Sequence, residues 1–476
     1  STLADGVDVI VSNNSGSIYE VGAADTIASL ELSGTNASVI LTDALTVAGG
    51  TNAITGVISG AGALTISSGT TTFNTAQTFT GNLALSAGTI VFQSASTLES
   101  GNSDMAIDND GTIKYSSTAA QILSGVISGD GSIIKEESSV LTLGGNNTFT
   151  GDLTVDAGTV DVNGTLADGV DVIVGDNSTA IYEVGATDTI QSLQVGTAGR
   201  VVLTAGLTTG DGGNNTIAGV ISGASNLTKA GTGTLTISAA QTFTGDLTVN
   251  GGKVDNNSTL ADGVDVIVGD NSTAIYEVGA TDTIQSLQVG TAGRVVLTAG
   301  LTTGDGGANT IAGVISGAST LTKAGAGVLT VTSSNTYTGA TTVSAGTLKV
   351  SNNTALGTAD AGTTVDAGAT LELANINYST AEALALSGTL SGTGTASIFA
   401  GVTNIAASSV ISSATALTMS AGLTGSAALE KTGAGVLTLS SANSYSGDLT
   451  VSAGKVDNNS TLGDAADVIV ANVSGA

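Results

Sequence analysis

Clusters of carboxylates are the residues of this chain whose type and spacing could do chemistry. The clearest are Asp104, Asp108, Asp110, Asp168, Asp171 and Asp176. A pair of carboxylates can act as the acid and the nucleophile of a glycosidase. The last three are copied 94 residues later as Asp262, Asp265 and Asp270, whereas an active site is usually built once. The repetition indicates a solvated acidic surface, and we predict no catalytic residue and no enzyme activity.

Acidic loops are also where a divalent cation could bind, because Ca²⁺ prefers carboxylate and carbonyl oxygens. The run Asp108-Asn109-Asp110-Gly111 is similar to the start of a calcium loop, but no suitably placed Glu follows it. The repeats also lack the G-G-x-G-x-D spacing of calcium-binding β-rolls. We predict no metal ligand and no cofactor, and we keep Ca²⁺ on the acidic loops as the alternative.

Aromatic residues recur at one place in a Thr-Phe-Thr-Gly type tetrad. They are Phe79, Phe149, Phe243, Tyr337 and Tyr445. Exposed in a row, such rings would stack on sugars. Successive rings lie 70 to 108 residues apart, about four turns of a repetitive coil and too far for one ligand. The spacing favours rings packed at a corner of the fold, and the same interpretation applies to Tyr182 and Tyr276.

The composition excludes several classes of protein. The 476 residues include no Cys and no His, which removes thiol chemistry, disulfides and His-based catalysis or metal binding. A formal net charge of -29 repels nucleic acids and anionic lipids. No stretch reaches the roughly 18 apolar residues of a membrane-spanning helix. We therefore expect no nucleic-acid partner and no membrane span in this segment.

Internal repeats dominate the sequence. Residues Thr165–Ser225 recur as Thr259–Ser319 with one difference, Asn214 against Ala308. We predict one continuous solenoid whose repeat units cover approximately residues 2–92, 93–164, 165–258, 259–350 and 351–456, with a partial unit at 457–476. Both ends of the chain lie within copies of the same unit. We therefore expect an excerpt of a longer repetitive chain, with any signal peptide outside it.

Within the repeats apolar residues alternate with polar ones, which predicts short β-strands. Leu235 and Ile237 fall on one face, and Thr234 and Thr236 fall on the other. Gly, Asn, Asp and Ser cluster between these runs, where they allow sharp corners. Such a pattern fits a sandwich array, an antiparallel barrel or a parallel solenoid. Frequent corners without linker boundaries favour the solenoid.

In a solenoid each turn is stabilised by its neighbours, which bury a shared apolar column and hydrogen-bond along the axis. The chain contains no Pro, as an axial ladder requires, because the ladder uses nearly every strand N–H. We predict an elongated all-β fold with about two dozen turns of roughly 20 residues, stacked about 4.8 Å apart. The acidic exterior would keep such a structure from pairing sideways.

A second recurring element is clearest at Leu321–Val350, LTKAGAGVLTVTSSNTYTGATTVSAGTLKV. Its pattern, L-x-K-x-G-x-G-x-L-T-[LIV]-S followed by N-T-[FY]-T-G-x-x-T-V-x-A-G-x-[LV], resembles the autotransporter-associated β-strand repeat. Related segments are Leu64–Phe92, Ile134–Val162, Leu227–Val254 and a copy from Leu429. The resemblance implies a right-handed parallel β-helix that is exported by the type V route and displayed on a bacterial surface.

These features favour a structural protein of the outer cell surface or the extracellular space: an adhesin shaft, a stalk or a self-assembling filament subunit. The expected partners are further copies of the chain, with a host or neighbouring cell surface or glycans as alternatives. A competing hypothesis is a cell-adhesion or glycan-binding module whose specificity lies in Asn375–Val410, where the repeat is least recognisable. A third is a polysaccharide-active enzyme. Outward rows of Thr could also bind ice, but charged residues interrupt them.

Overall fold

A computed structural model describes residues 2–12, 16–210, 212–304 and 306–471, apart from the side chain of residue 100. It divides into two compact units, Ser1–Thr244 and Gly245–Ala476. The described residues form parallel strands and no α-helix; one short 3-10 helix spans Glu99–Gly101. No helix within these ranges is long and apolar enough to cross a bilayer. The predicted parallel β-solenoid is confirmed, while its right-handed winding stays a prediction.

The first unit winds repeatedly through three series of strands, and strands of one series hydrogen-bond to one another. The first series is Asp8–Ser12, Ser29–Ser33, Thr51–Ile54, Thr70–Phe73, Thr89–Ser94, Thr112–Ser117, Ser132–Lys135, Leu153–Val155, Asp171–Val174, Ser192–Val195, Asn215–Ile217 and Thr234–Ile237. The second is a sheet of Ile18–Val21, Ser38–Leu41, Val57–Gly60 and Thr78–Phe79, and a sheet of Asn102–Ser103, Gln121–Leu123, Val140–Leu143, Thr159–Val162, Ile181–Val184, Arg200–Leu203 and Val220–Gly223. The third is a sheet of Asp25–Ile27, Leu45–Val47, Leu64–Ile66, Leu83–Leu85, Ile107–Asn109 and Ile127–Ser128, and a set of Asp188–Ile190, Leu207–Thr209 and Leu227–Lys229.

The second unit is built in the same way. Its longest series is Leu247–Val249, Asp265–Val268, Ser286–Val289, Ala308–Ile311, Val328–Val331, Thr347–Val350, Thr370–Ala374, Thr389–Thr393, Ser409–Ser413, Leu429–Thr432, Leu449–Val451 and Val468–Val470. Another comprises Lys253–Asn256, Ile275–Val278, Arg294–Leu297 and Val314–Gly317, and then a sheet of Asn377–Tyr378, Ala396–Phe399, Ala416–Met419, Val436–Leu439 and Lys455–Asn458. The last is Asp282–Ile284, Leu301–Thr303, Leu321–Lys323, Thr341–Val343, Thr363–Val365, Leu384–Leu386, Thr403–Ile405 and Leu423–Gly425.

The strand register shows how much chain one turn takes. Thr70 pairs with Thr89, and Leu83 pairs with Ile107, so a turn takes 19 residues in the first case and 24 in the second. The two units together make about 23 turns, in agreement with the predicted two dozen. Turn length therefore varies while the pairing of one turn on the next is maintained.

Alternate residues of each strand fill the interior. Leu235 and Ile237 are fully buried, whereas Thr234 and Thr236 between them are half-buried on the outer side. The same alternation holds along nearly all strands of both units. The period-two pattern thus confirms which side chains form the core and which face solvent.

Glycine lets successive turns approach closely at their corners. A Cβ atom on Gly435 would lie 1.4 Å from the carbonyl oxygen of Thr415, one turn earlier. A Cβ atom on Gly233 would lie 1.6 Å from the carbonyl oxygen of Gly213. No side chain fits at these distances, so the high glycine content reflects stacked backbone rather than flexible linkers.

Candidate functional site

The aromatic residues of the tetrad lie inside the solenoid. The exposed fraction is 0 or 1% for Phe79, Phe149, Phe243, Tyr337 and Tyr445. Tyr182 and Tyr276 are equally buried. The interpretation as core packing is confirmed, because buried rings offer no face on which a sugar could stack.

The residue before each tetrad, two positions before the aromatic, carries an amide that hydrogen-bonds to the backbone. Gln241 Oε1 accepts a hydrogen bond from the Ile221 N–H at 2.7 Å, and Gln241 Nε2 donates to the Ala239 carbonyl at 2.6 Å. The equivalent residues are Gln77, Asn147, Asn335 and Asn443. Each satisfies polar groups of the backbone where the chain turns and no strand partner is present. The amide and the ring together form one corner of a turn.

A buried lysine forms another corner. Lys431 is 0% exposed, and its ammonium donates to the carbonyl oxygens of Thr432, Gly433 and Ala453 at 2.6, 2.9 and 3.1 Å. The first two belong to the corner that follows the lysine, and the third lies one turn later. The equivalent buried residues are Lys135, Lys229 and Lys323. The lysine of the L-x-K-x-G-x-G element therefore joins two consecutive turns.

Reasoning from the sequence missed these buried lysines. The signal was the parity of the strand, because Lys323 stands two residues after the inward-facing Leu321 and so points inward itself. Burial lowers the pKa of Lys135 to about 8, although the carboxylates of Glu137 and Glu136 act in the opposite direction. Backbone carbonyls, rather than a buried counter-ion, are the main partners of these ammonium groups.

One series of the second unit presents a row of hydroxyl groups. The middle residues of its eight strands point outward and lie opposite one another in register: Thr283, Thr302, Thr322, Thr342, Thr364, Ala385, Asn404 and Thr424. We call these eight residues the threonine face. Neighbouring strands are about 4.8 Å apart, so the first five hydroxyls form a file of roughly 19 Å. Among the described residues, none of these five side chains has a hydrogen-bond partner in the protein.

The columns on both sides of the threonine face are small and nearly free of charge. The preceding column is Thr281, Gly300, Thr320, Ala340, Gly362, Ala383, Val402 and Gly422. The following column is Gln285, Gly304, Ala324, Ser344, Asp366, Ser387, Ala406 and Ser426. By contrast, the outward positions of other series in this unit carry ion pairs, Lys349 with Glu372 and Lys253 with Glu277. The threonine face is thus a charge-poor strip on a strongly acidic chain.

A shallow groove crosses the threonine face where Ala385 interrupts the file of Thr. Thr364, Val402 and Asn404 line it, and Val402 is 50% exposed. Most of these residues lie in Asn375–Val410, the segment in which the repeat is least recognisable. That segment keeps the strand register of its neighbours. It therefore differs from them in its outward side chains and not in its backbone.

Behind the groove lies a buried carboxyl group. Glu382 is 1% exposed; its Oε1 accepts a hydrogen bond from Thr363 Oγ1 at 2.8 Å, and its Oε2 has no partner among the described residues. The hydroxyl groups of Tyr337 and Tyr378 lie near enough for the Glu382 charge to raise the pKa of each, in addition to burial. Burial raises the pKa of Glu382 to about 7, against the opposing hydrogen bond from Thr363. Nothing in the repeat pattern indicated this group.

Four segments match the family described as the Passenger-associated-transport-repeat: residues 133–162, 227–255, 321–350 and 429–457. Each contains both corners described above, the buried lysine and the amide beside a buried ring. The chain therefore carries the Passenger-associated-transport-repeat at four places. The weaker segment Leu64–Phe92 has Ile66 where the four others have lysine, and it lies outside the matched residues.

The chain is also similar to the Adhesin BmaC autotransporter of Brucella suis biovar 1 (strain 1330), with 29% identity over 277 residues. The similarity covers 55% of this chain and 8% of that relative. The chain therefore spans less than a tenth of the relative's length. No solved structure matches this chain.

The carboxylate clusters singled out from the sequence do not converge on one point. Asp104, Asp108, Asp110, Asp168 and Asp176 are exposed. Asp171 is half-buried and accepts a hydrogen bond from Ser192 Oγ at 2.6 Å. In the part of the chain that the structure describes, no three His, Cys, Asp or Glu side chains are placed to hold a metal ion. The absence of enzyme activity and of a cofactor stays a prediction.

The two near-identical copies pack against different residues at one buried position just before each copy. In the second copy, Asn256 Nδ2 donates to Tyr276 Oη at 3.1 Å and to Asp282 Oδ2 at 3.0 Å. Val162 holds the equivalent position before the first copy, where Tyr182 Oη is buried without a partner among the described residues. The chain thus contains a natural comparison between a satisfied and an unsatisfied polar cluster.

Asn256→Val is expected to destabilise the second copy by about 1–3 kcal/mol, because the buried Tyr276 hydroxyl loses its donor and the buried Asp282 carboxylate loses one of its donors. The reverse change, Val162→Asn, is expected to stabilise the first copy by about 1 kcal/mol. Amide hydrogen exchange of the Leu260 N–H, which donates to Asp282 at 3.1 Å, measures the first effect. The exposed neighbour Asn257 supplies the control variant Asn257→Val, and equal exchange in all variants would contradict the prediction.

Proposed function

We propose that this chain is a surface adhesin-like β-solenoid, a passenger segment displayed outside a bacterial cell that promotes attachment and performs no chemistry. The observation that carries the proposal is that all four passenger repeats build the same lysine and amide corners between parallel strands. The similarity to an autotransporter adhesin supports the adhesive role.

The architecture suits a protein that works outside the cell. Its turns are held by backbone ladders, a continuous apolar column and buried polar corners, and the chain contains no Cys. Stability then comes from nearest-neighbour stacking, which needs neither a disulfide nor a cofactor. The acidic exterior opposes uncontrolled pairing of strand edges. Two carboxylates one turn apart repel by only about 0.9 kcal/mol in water. The acidic surface therefore destabilises the stacked strands only slightly.

A second candidate function is specific binding at the groove of the threonine face. Asn375–Val410 supplies Ala385 and Asn404, which break the file of threonines, and the exposed Val402 beside them. Such a break is where a ligand could be distinguished from the rest of the surface. The polysaccharide-active enzyme has no comparable support, because the carboxylate clusters lie apart.

Attachment of bacteria that display the chain tests both candidates. Displayed protein is expected to raise attachment to host cells above that of the empty display strain. Deletion of residues 366–405 removes two turns and joins Val365 to Ala406, which hold consecutive positions of the register. Deletion of residues 285–323 removes two turns in the same way and joins Ile284 to Ala324.

The adhesin-like function predicts attachment by the full chain, and the two deletions separate shaft from groove. Equal attachment by both deletion variants favours a shaft, whereas loss with the first deletion alone favours the groove. Resistance of each displayed variant to a protease shows that the shortened solenoid is folded. Attachment of the full chain at the level of the empty strain would overturn the proposal.

A further inference from the structure

We propose that the threonine face is a docking surface for the same face of a second copy of this chain. The pairing goes beyond attachment to a host, because it joins passenger chains to one another side by side. The argument rests on the charge, the spacing and the area of the face.

Charge favours this face over the rest of the surface. Two copies that each carry a formal net charge of -29 repel one another. Other outward columns of the second unit contain carboxylates, such as Asp255 opposite Glu277. The threonine face contains none, and Asp366 is the single carboxylate of its two flanking columns. Two copies therefore meet the least repulsion when they approach through this strip.

Spacing makes the face self-complementary. Each copy presents hydroxyl groups at the same strand period of about 4.8 Å, so the files of two copies stay in step along their length. A hydroxyl both donates and accepts, so Thr can pair with Thr. The β-branched side chain of Thr loses little freedom on pairing. Small flanking residues such as Gly300, Ala340 and Ala383 allow the two strips to approach closely.

The area of the face sets the strength of the pairing. Eight strands at about 4.8 Å and a width of five residues at about 3.3 Å give roughly 600 Å² on each copy. The total, roughly 1,200 Å², lies at the lower limit of specific interfaces. We therefore expect a weak, reversible dimer of this chain that salt strengthens by screening the net charge.

The first unit supports the inference independently. Outward Thr residues lie opposite one another in two further files: Thr26, Thr46 and Thr65, and Thr189, Thr208 and Thr228. The same display thus recurs where turn lengths and neighbouring sequences differ. The same file of hydroxyls thus occurs several times along the chain. Repeated weak contacts strengthen an association when they form together.

Sedimentation of the full chain at low and high salt tests the pairing. The double variant Thr322→Asp with Thr342→Asp places like charges opposite one another across a symmetric interface, and it is expected to weaken dimerisation at least tenfold. Thr310→Asp with Thr330→Asp is the matched control, because these residues are also opposite one another and outward but belong to the neighbouring series. The control is expected to leave the dimerisation constant unchanged.

Cysteine cross-linking gives a second readout that does not depend on a destabilising change. The chain contains no Cys, so a disulfide dimer of Thr342→Cys reports close approach of two threonine faces, and Thr330→Cys is its control. A wild-type chain that stays monomeric at high salt, or equal cross-linking of both variants, would overturn the proposal. Binding of the monomer to an insoluble glycan or to ice, lost in the Thr322→Asp and Thr342→Asp variant, would assign the face to that ligand instead and also overturn it.

Discussion

Lys431→Met is expected to destabilise the second unit by about 3 kcal/mol. Methionine fills the same volume but leaves the carbonyl oxygens of Thr432, Gly433 and Ala453 without their donor. Because Ala453 belongs to the next turn, the loss separates two turns rather than loosening one. Urea unfolding with hydrogen exchange of the Val451 and Ser452 amides measures the effect.

Lys349→Met is the matched control for Lys431→Met. Lys349 lies on the outer side, 3.0 Å from Glu372, and 38% of its side chain is exposed. An ion pair of this kind contributes about 0–1 kcal/mol. Equal destabilisation by the two substitutions would show that the buried ammonium has no special role at the corner.

The lysine corner also explains the glycines of the passenger repeat. Gly433 has a φ of +75°, which turns the chain beneath the ammonium so that two consecutive carbonyls point at it. Glu137 occupies the equivalent position after Lys135 and adopts a φ of +63°. A non-glycine residue is strained at such a positive φ. Glycine therefore fits this corner at position 137 as well, whereas glutamate at position 433 would add strain.

Much of the fold could be predicted from the sequence because it depends on local alternation. Leu235 and Ile237 are alternate residues of one strand and so point inward together, whatever the length of the turn. Isolated aromatics such as Phe243 could be placed in the core because their spacing excluded a shared ligand. Both inferences use distances along the chain only, and both are confirmed by the structure.

The candidate site could not be predicted because it depends on register. The step from Thr322 to Thr342 is 20 residues and the step from Thr342 to Thr364 is 22, so no constant spacing reveals the file. The buried lysines were missed for another reason. Lysine is almost never fully buried without a partner, and its partners here are backbone carbonyls, which no sequence motif identifies.

Glu382 was missed because a lone carboxylate beside short strands is normally solvated. The structure places it behind the groove, against Thr363 and near Tyr337 and Tyr378. Its burial has a consequence for stability that depends on pH. The folded state holds the proton of Glu382 up to a pH of about 7, whereas the ordinary pKa of a glutamate is 4.5.

Glu382→Gln is therefore expected to change the pH dependence of stability in the second unit. Because the folded-state pKa lies above the unfolded one, the wild-type chain loses stability as the pH rises from about 4 to above 7, by about 3 kcal/mol in all. The glutamine variant cannot ionise, so it is expected to match the wild type near pH 4 and to exceed its stability at pH 8. Urea unfolding at both pH values measures the difference.

Glu372→Gln controls for the many other carboxylates of this acidic chain. Glu372 lies on the outer side beside Lys349, so Glu372→Gln removes one carboxylate from the surface and leaves Glu382 in place. Ionisation of the remaining carboxylates is common to all three proteins and cancels in the comparison. If Glu382→Gln and the wild type lose stability in parallel between pH 4 and pH 8, the carboxyl of Glu382 ionises in the folded chain as it does in water, and the turns behind the groove must admit solvent.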